Sequence, residues 1–302
     1  MMVIDAHQHV WDPERASYPW LNDSLAPINR KMQFGDVVPS LRRANVQATV
    51  LVQSADNDED TDLMFETAQE HPGVTGIVAY VPLENPARAR ERLDQLLQSD
   101  LTVGVRNLIH NIPNPDWLLL PEVGDGLSLV EDSGLTFDLV GVLPRHLEIV
   151  SEVSRRHSRL RIVLDHLGKP PIGCEDAEPW WSLIERAAQN PNVFAKISGL
   201  YSASGAPDNW TAATVRPFVD RALEVFGSER LMYGGDWPIS ITAGGYDRVW
   251  DGLNTVFADY SEAERTSILG GTATSFYRLS SRHLAAAKHE LHPALSSTAA
   301  LI

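Results

Sequence analysis

The chain has 302 residues, 43% hydrophobic and 22% charged, with a formal net charge of −15. That is the composition of a folded protein with a sizeable core. A chain this acidic, with no basic block, is not expected to bind nucleic acid or an anionic membrane surface, because both require clustered Lys and Arg.

The N-terminus carries no apolar leader, and no apolar run approaches the ~18 residues of a membrane span, so the cytoplasm is the expected location. The first expected strand is "MVIDAH" (2–7), running directly into His7-Gln8-His9. A long loop follows from Trp11 to about Asp36, with Pro13, Pro19 and Pro27 and the aromatics Trp11, Tyr18 and Trp20. Loops of this length often form caps or binding loops. Next come "ATVLVQS" (48–54), a helical stretch near 61–71 and "TGIVAYV" (75–81). The segment 86–99 places Ala89, Leu93, Leu96 and Leu97 on one helical face, with Pro86 suited to the first turn. Further on, "TVGVRNL" (102–108), "LTFDLVG" (135–141) and "LRIVLDH" (160–166) alternate with helical patterns over 122–133 and 144–157.

Cys174, the only cysteine, sits in the Pro/Gly-rich "KPPIGCEDAEP", where acidic neighbours disfavour a thiolate. One cysteine excludes an intrachain disulfide and cysteine-rich zinc sites. Past a helical pattern over 179–190 come "NVFAKISG" (192–199), a helical stretch over 211–226, "RLMYGGD" (230–236) and a helical stretch near 262–276. Residues 283–302 read as a surface helix fading into a flexible end, and their three histidines, beyond the barrel pattern, are not expected to hold a metal.

Eight near-continuous apolar runs suit parallel strands covered on both faces. Helical patterns between them predict an α/β protein, a single-domain (β/α)8 TIM barrel over 1–280 with a C-terminal helix or tail over 281–302. A doubly wound sheet is weakened by the lack of a glycine-rich phosphate loop after any strand.

Active-site groups of such barrels sit at the C-terminal strand ends. Those ends carry His7 and His9, Gln53, Arg106 with His110 just beyond, Asp138, Asp165 and His166, Lys196, and Asp236 with Trp237. His7, His9, His166 and Asp236 form a three-nitrogen, one-oxygen set able to hold one divalent ion such as zinc. A single histidine at a strand end is more often a hydrogen-bonded polar residue, so the weight lies on the set. Arg106 is suited to gripping a carboxylate. Asp165 is expected to orient His166 or cap a loop. Trp20, Gln53, His110, Lys196 and Trp237 are candidate substrate contacts, since aromatics offer apolar packing faces while polar groups orient a ligand.

The motifs "DAHQHVWD", "GVRNLIH", "LDHLGKP", "AKISGL" and "YGGDWPIS" resemble the sugar-lactonase branch of the amidohydrolase superfamily, from about residue 3 to 280. The resemblance implies a distorted (β/α)8 barrel that hydrolyses a lactone, with Asp236 as the base for water and Arg106 and His166 beside it. It also implies His7 and His9 as the first-strand pair. Two-metal members bridge their ions with a carboxylated lysine or a glutamate; "GVRN" offers Arg106 there, so one zinc-like ion or none is expected. Metal-independent catalysis stays open. The implied substrate is a small lactone of the L-fucono- or L-rhamnono-type. A muconolactone or pyrone-dicarboxylate lactonase is the alternative, followed by a decarboxylase and then a non-catalytic binding barrel. A homo-oligomer is left open.

Overall fold

Strands buried on both faces need apolar side chains on both. All eight expected runs form strands in the computed structural model, which describes residues 1–293. They are β1 (Ile4–Gln8), β2 (Ala48–Val52), β3 (Val74–Ala79), β4 (Thr102–Asn107), β5 (Thr136–Leu139), β6 (Ile162–Leu164), β7 (Val193–Ile197) and β8 (Leu231–Tyr233). All are parallel and pair in sequence order. The residues after β8 close the ring: the Asp236 amide donates to the His7 carbonyl (2.8 Å), and the His9 amide to that of Trp237 (2.7 Å). The result is a single (β/α)8 barrel.

Eight helices wrap it: α1 (Phe34–Arg43), α2 (Asp58–Glu70), α3 (Pro86–Leu96), α4 (Pro121–Ser133), α5 (Pro144–Arg156), α6 (Trp180–Ala188), α7 (Ala212–Phe226) and α8 (Tyr246–Phe257). Helices α1 and α8 are not anticipated from the sequence. Their buried residues nonetheless keep helical spacing: Phe34, Val37 and Leu41, then Tyr246, Val249, Leu253 and Val256. The expected helix near 262–276 is interrupted. Helices α9 (Glu262–Thr266) and α10 (Thr272–Phe276) flank a π turn, Ser267–Gly271. A side chain at Gly270 would run into the Met2 carbonyl, so only glycine fits that crossing.

The expected C-terminal helix is present. Helix α11 (Ser281–Leu291) buries Leu284, Ala287 and Leu291 against β2 and β3, and the Leu291 carbonyl accepts from Arg42 Nε (3.0 Å). Residues 281–291 therefore pack as part of the barrel body. The rest of the expected flexible end, 294–302, lies outside the described residues.

The barrel interior is layered. Ile4, Val50, Val163, Met232 and Phe276 make an apolar lower layer. Above it lies a charged layer, and above that the mouth.

Candidate active site

His7 and His9 both face the mouth because β1 is irregular. Its register against β2 shifts between Asp5 and Gln8. Such a bulge re-aims side chains. Gln8 and Asp5 turn outward together, with Gln8 Nε2 donating to Asp5 Oδ2 (2.7 Å). Asp5 then pins the seam, accepting from the Gly235 amide (2.8 Å) and the Tyr246 hydroxyl (2.9 Å).

The charged layer lies directly beneath. Lys196 is fully buried, with Nζ 2.5 Å from Asp138 Oδ2, 3.1 Å from Asp165 Oδ1 and 3.0 Å from His7 Nδ1. Arg106 donates through Nη1 to Asp165 Oδ2 (2.9 Å) and through Nη2 to the Gln53 carbonyl. The Tyr277 hydroxyl donates to Asp138 Oδ2 (2.7 Å). Burial raises the Asp138 carboxyl to about 6 against the pull of Lys196. Burial acts on Asp165 in the same direction, but Lys196, His7 and Arg106 outweigh it and hold Asp165 well below the usual carboxylate range. Near neutral pH the layer thus balances two cations with two carboxylates. His7 stays neutral above it, pushed well below the ordinary histidine value chiefly by burial.

Three donor atoms converge at the floor of the mouth. His7 Nε2 lies 3.8 Å and His9 Nε2 3.5 Å from Asp236 Oδ1. The other ring nitrogens meet different partners. His9 Nδ1 is 2.7 Å from the Val52 carbonyl, and His7 Nδ1 is 3.2 Å from Asp165 Oδ1. The Val52 carbonyl can only accept, so His9 Nδ1 carries the proton and its Nε2 turns a lone pair toward the Asp236 carboxylate, whereas His7 Nδ1 also meets the donor Lys196 Nζ (3.0 Å). Burial disfavours the Asp236 anion, but His166, His9 and Lys169 outweigh it and hold the carboxyl below its usual value. Two imidazole nitrogens facing a carboxylate at these distances suit a shared cation. Ligand atoms around a tetrahedral zinc lie on the order of 3.3 Å apart. The donor set therefore fits one divalent ion.

His166 does not join that set. Its donor atoms group with His7 and Asp165, and its Nδ1 lies 2.9 Å from Ser198 Oγ. Burial, with Lys169 next, pushes its pKa well below the ordinary value. Asp165 serves His7, Arg106 and Lys196 instead of the expected His166.

A cavity of about 240 Å³ opens above these groups, lined among others by His9, Trp20, Arg106, His110, His166 and Asp236. Trp20 arrives from the long first loop, its indole N–H donating to the Ser54 carbonyl (2.7 Å). Three expected substrate contacts lie elsewhere. Lys196 is sealed in the charged layer. Gln53 is buried, its amide nitrogen bonded to Asp56 Oδ1 (3.1 Å) and the Arg106 carbonyl (2.9 Å). Trp237 is buried in the outer core, because a residue next to the inward-turned Asp236 faces the opposite way. Conversely, Lys169 lines the cavity and was not among the expected contacts. Its one signal in the sequence is its place three residues after His166, across a glycine.

Gly199 makes a tight approach to two of these side chains. Its φ is +54°, and a Cβ there would collide with His166 Nδ1 and lie 2.9 Å from Asp236 Oδ2. Gly199→Ala is expected to lower turnover about 10²-fold, the cost of a misplacement near 1 Å, while the protein stays folded by circular dichroism. Normal turnover in that variant would show that these two side chains tolerate displacement.

The amidohydrolase family model matches residues 4–279. The chain belongs to the amidohydrolase family. An L-fucono-1,5-lactonase of Burkholderia ambifaria is 34% identical over 91% of this amidohydrolase and 95% of its own length. An L-fucono-1,5-lactonase of Burkholderia multivorans is 29% identical, covering 91% and 96%. A crystal structure of an amidohydrolase from Burkholderia multivorans with bound zinc superposes with a TM-score of 0.85, at 27% identity, covering 93% of this amidohydrolase and all of that chain. Among the described residues, no helix is long and apolar enough to cross a membrane.

Proposed function

We propose that this amidohydrolase is a cytoplasmic enzyme that opens a sugar-acid lactone, of the L-fucono- or L-rhamnono-type, to the aldonic acid. The observation that carries this reading is the convergence of His7, His9 and Asp236 at the floor of a cavity sized for one small ring. The activity of the Burkholderia relatives supports it.

Asp236 takes the proton from a water that attacks the lactone carbonyl. Its anion is available because its neighbours hold the carboxyl low. Once the ring C–O bond breaks, the same carboxyl returns the proton to the leaving oxygen. His166, neutral and tied to Ser198, borders the reacting centre. Trp20 offers a face for the sugar C–H groups, and His110 a hydrogen-bonding partner at the rim. A divalent ion held by His7, His9 and Asp236 would polarise the carbonyl and acidify bound water.

Charge favours a neutral lactone over an anionic one. The lining cations are Arg106 and Lys169, and both terminal nitrogens of Arg106 are committed to Asp165 and Gln53. A pyrone dicarboxylate would bring two carboxylates to a mouth with one cation to spare. Acid release from a panel of aldonolactones, beside a muconolactone and a pyrone dicarboxylate, tests the reading. Release from the aldonolactones supports it; release only from the anionic lactones refutes it. Stripping metal with a chelator is expected to lower activity by about tenfold or more, with zinc restoring it. Full activity in protein shown to be metal-free by elemental analysis would contradict a role for the ion.

A further inference from the structure

The four residues His166 to Lys169 form a left-handed turn. Their φ angles are 56°, 52°, 68° and 57°, and the Lys169 amide closes the turn on the His166 carbonyl (2.9 Å). Three of the four carry a Cβ, which disfavours this conformation. Such strain persists only where the surroundings impose it, and it collects at functional sites. The surroundings here are explicit. The Trp180 indole donates to the Leu167 carbonyl (2.7 Å), and Leu167 is fully buried. A Cβ on Gly168 would lie 2.5 Å from Leu147 Cδ2. In a three-residue turn, positions i and i+3 fall on one side. His166 and Lys169 accordingly both line the cavity, while Leu167 packs into the core.

Lys169 has donors to spare. Its Nζ makes one long hydrogen bond, to the Gly199 carbonyl (3.3 Å), and lies 5.6 Å from the centre of the Tyr201 ring. An ammonium carries three donors. Among the described lining residues, Lys169 is the cation whose charged head is not locked into the layer below.

We propose that Lys169 is a catalytic residue: its ammonium donates to the lactone carbonyl oxygen during attack and to the same oxygen in the product carboxylate. The assignment rests on the lactonase reading. Water forms the new C–O bond and gives its proton to Asp236. The carbonyl π pair moves onto the oxygen held by Lys169. When that pair re-forms the double bond, the ring C–O bond breaks, and the leaving oxygen takes the proton from Asp236. The turn places the donor in the cavity wall with His166 and Asp236.

Lys169→Met and Lys169→Arg test this. Two readouts are needed: kcat and KM for an aldonolactone, and calorimetric binding of the aldonate against the matching alditol, which lacks the carboxylate. Lys169→Met is expected to lower kcat roughly 10²–10³-fold, as loss of one oxyanion donor does. It should weaken aldonate binding about tenfold or more and leave alditol binding unchanged; Lys169→Arg should recover part of both losses. Equal weakening of aldonate and alditol would reveal a merely structural role and overturn the proposal. So would Lys169→Met with kcat and aldonate binding near those of the wild type. If the wild type opens no lactone yet loses aldonate binding with Lys169→Met, the carboxylate contact stands and the lactonase reading falls.

Discussion

Asp236→Asn lowers kcat for lactone opening by roughly 10²–10⁴-fold, the usual worth of a positioned general base. The amide keeps the shape of the carboxylate but cannot take a proton from water. It also presents an N–H₂ where Asp236 Oδ1 now faces His7 Nε2 and His9 Nε2. A donor there satisfies one imidazole lone pair and removes a metal ligand. Little stability is lost, because the backbone restraints on residue 236 stay: its amide donates to the His7 carbonyl (2.8 Å) and its carbonyl accepts from the Ser240 amide (2.8 Å). Asparagine also tolerates the left-handed backbone that Asp236 adopts at φ +51°. Steady-state acid release and a thermal melt check this. Turnover within a few-fold of the wild type would remove Asp236 from the reaction.

Lys196→Met destabilises the fold by about 3–5 kcal/mol, the cost of breaking a buried ion pair from one side. Methionine fills much of the lysine's volume, so the loss is chiefly electrostatic. Without Nζ, Asp138 keeps only the Tyr277 hydroxyl, and Asp165 keeps Arg106 and His7. Two carboxylates then share one cation inside the barrel. Adding Asp138→Asn removes the excess charge and is expected to recover about half of the loss. Urea denaturation of the single and double variants measures both effects. A loss below about 1 kcal/mol for Lys196→Met would mean that the charged layer is already neutralised by protonation.

The same layer explains what the sequence could and could not convey. Eight β-branched apolar runs announce the barrel because strands covered on both faces have no polar side to hide them. Helices α1 and α8 are harder to see, since Pro39 interrupts one and Gly252 weakens the other, although their buried positions keep the helical period. For the site, a strand end indicates a height in the barrel and says less about facing. His7 and His9 reach the mouth through a bulge that local sequence does not display. Trp237 shares its strand end with Asp236 but faces outward, and Lys196 points inward one level too low. Gln53 spends its side chain and its carbonyl bracing Arg106. Lys169 lies beyond β6 in a left-handed turn, which no strand or helix period marks. The charge balance among Arg106, Lys196, Asp138 and Asp165 is a property of the closed ring, because its members come from four different strand ends.

Hydrolysis of L-fucono-1,5-lactone in ¹⁸O-labelled water, followed by mass spectrometry of the product, tests the central claim most directly. Attack on the carbonyl predicts enzyme-dependent aldonic acid, formed well above the spontaneous rate, with one labelled oxygen in its carboxylate. Label in a ring-derived hydroxyl, or no acid beyond the spontaneous rate, would contradict lactone opening at the Asp236 site.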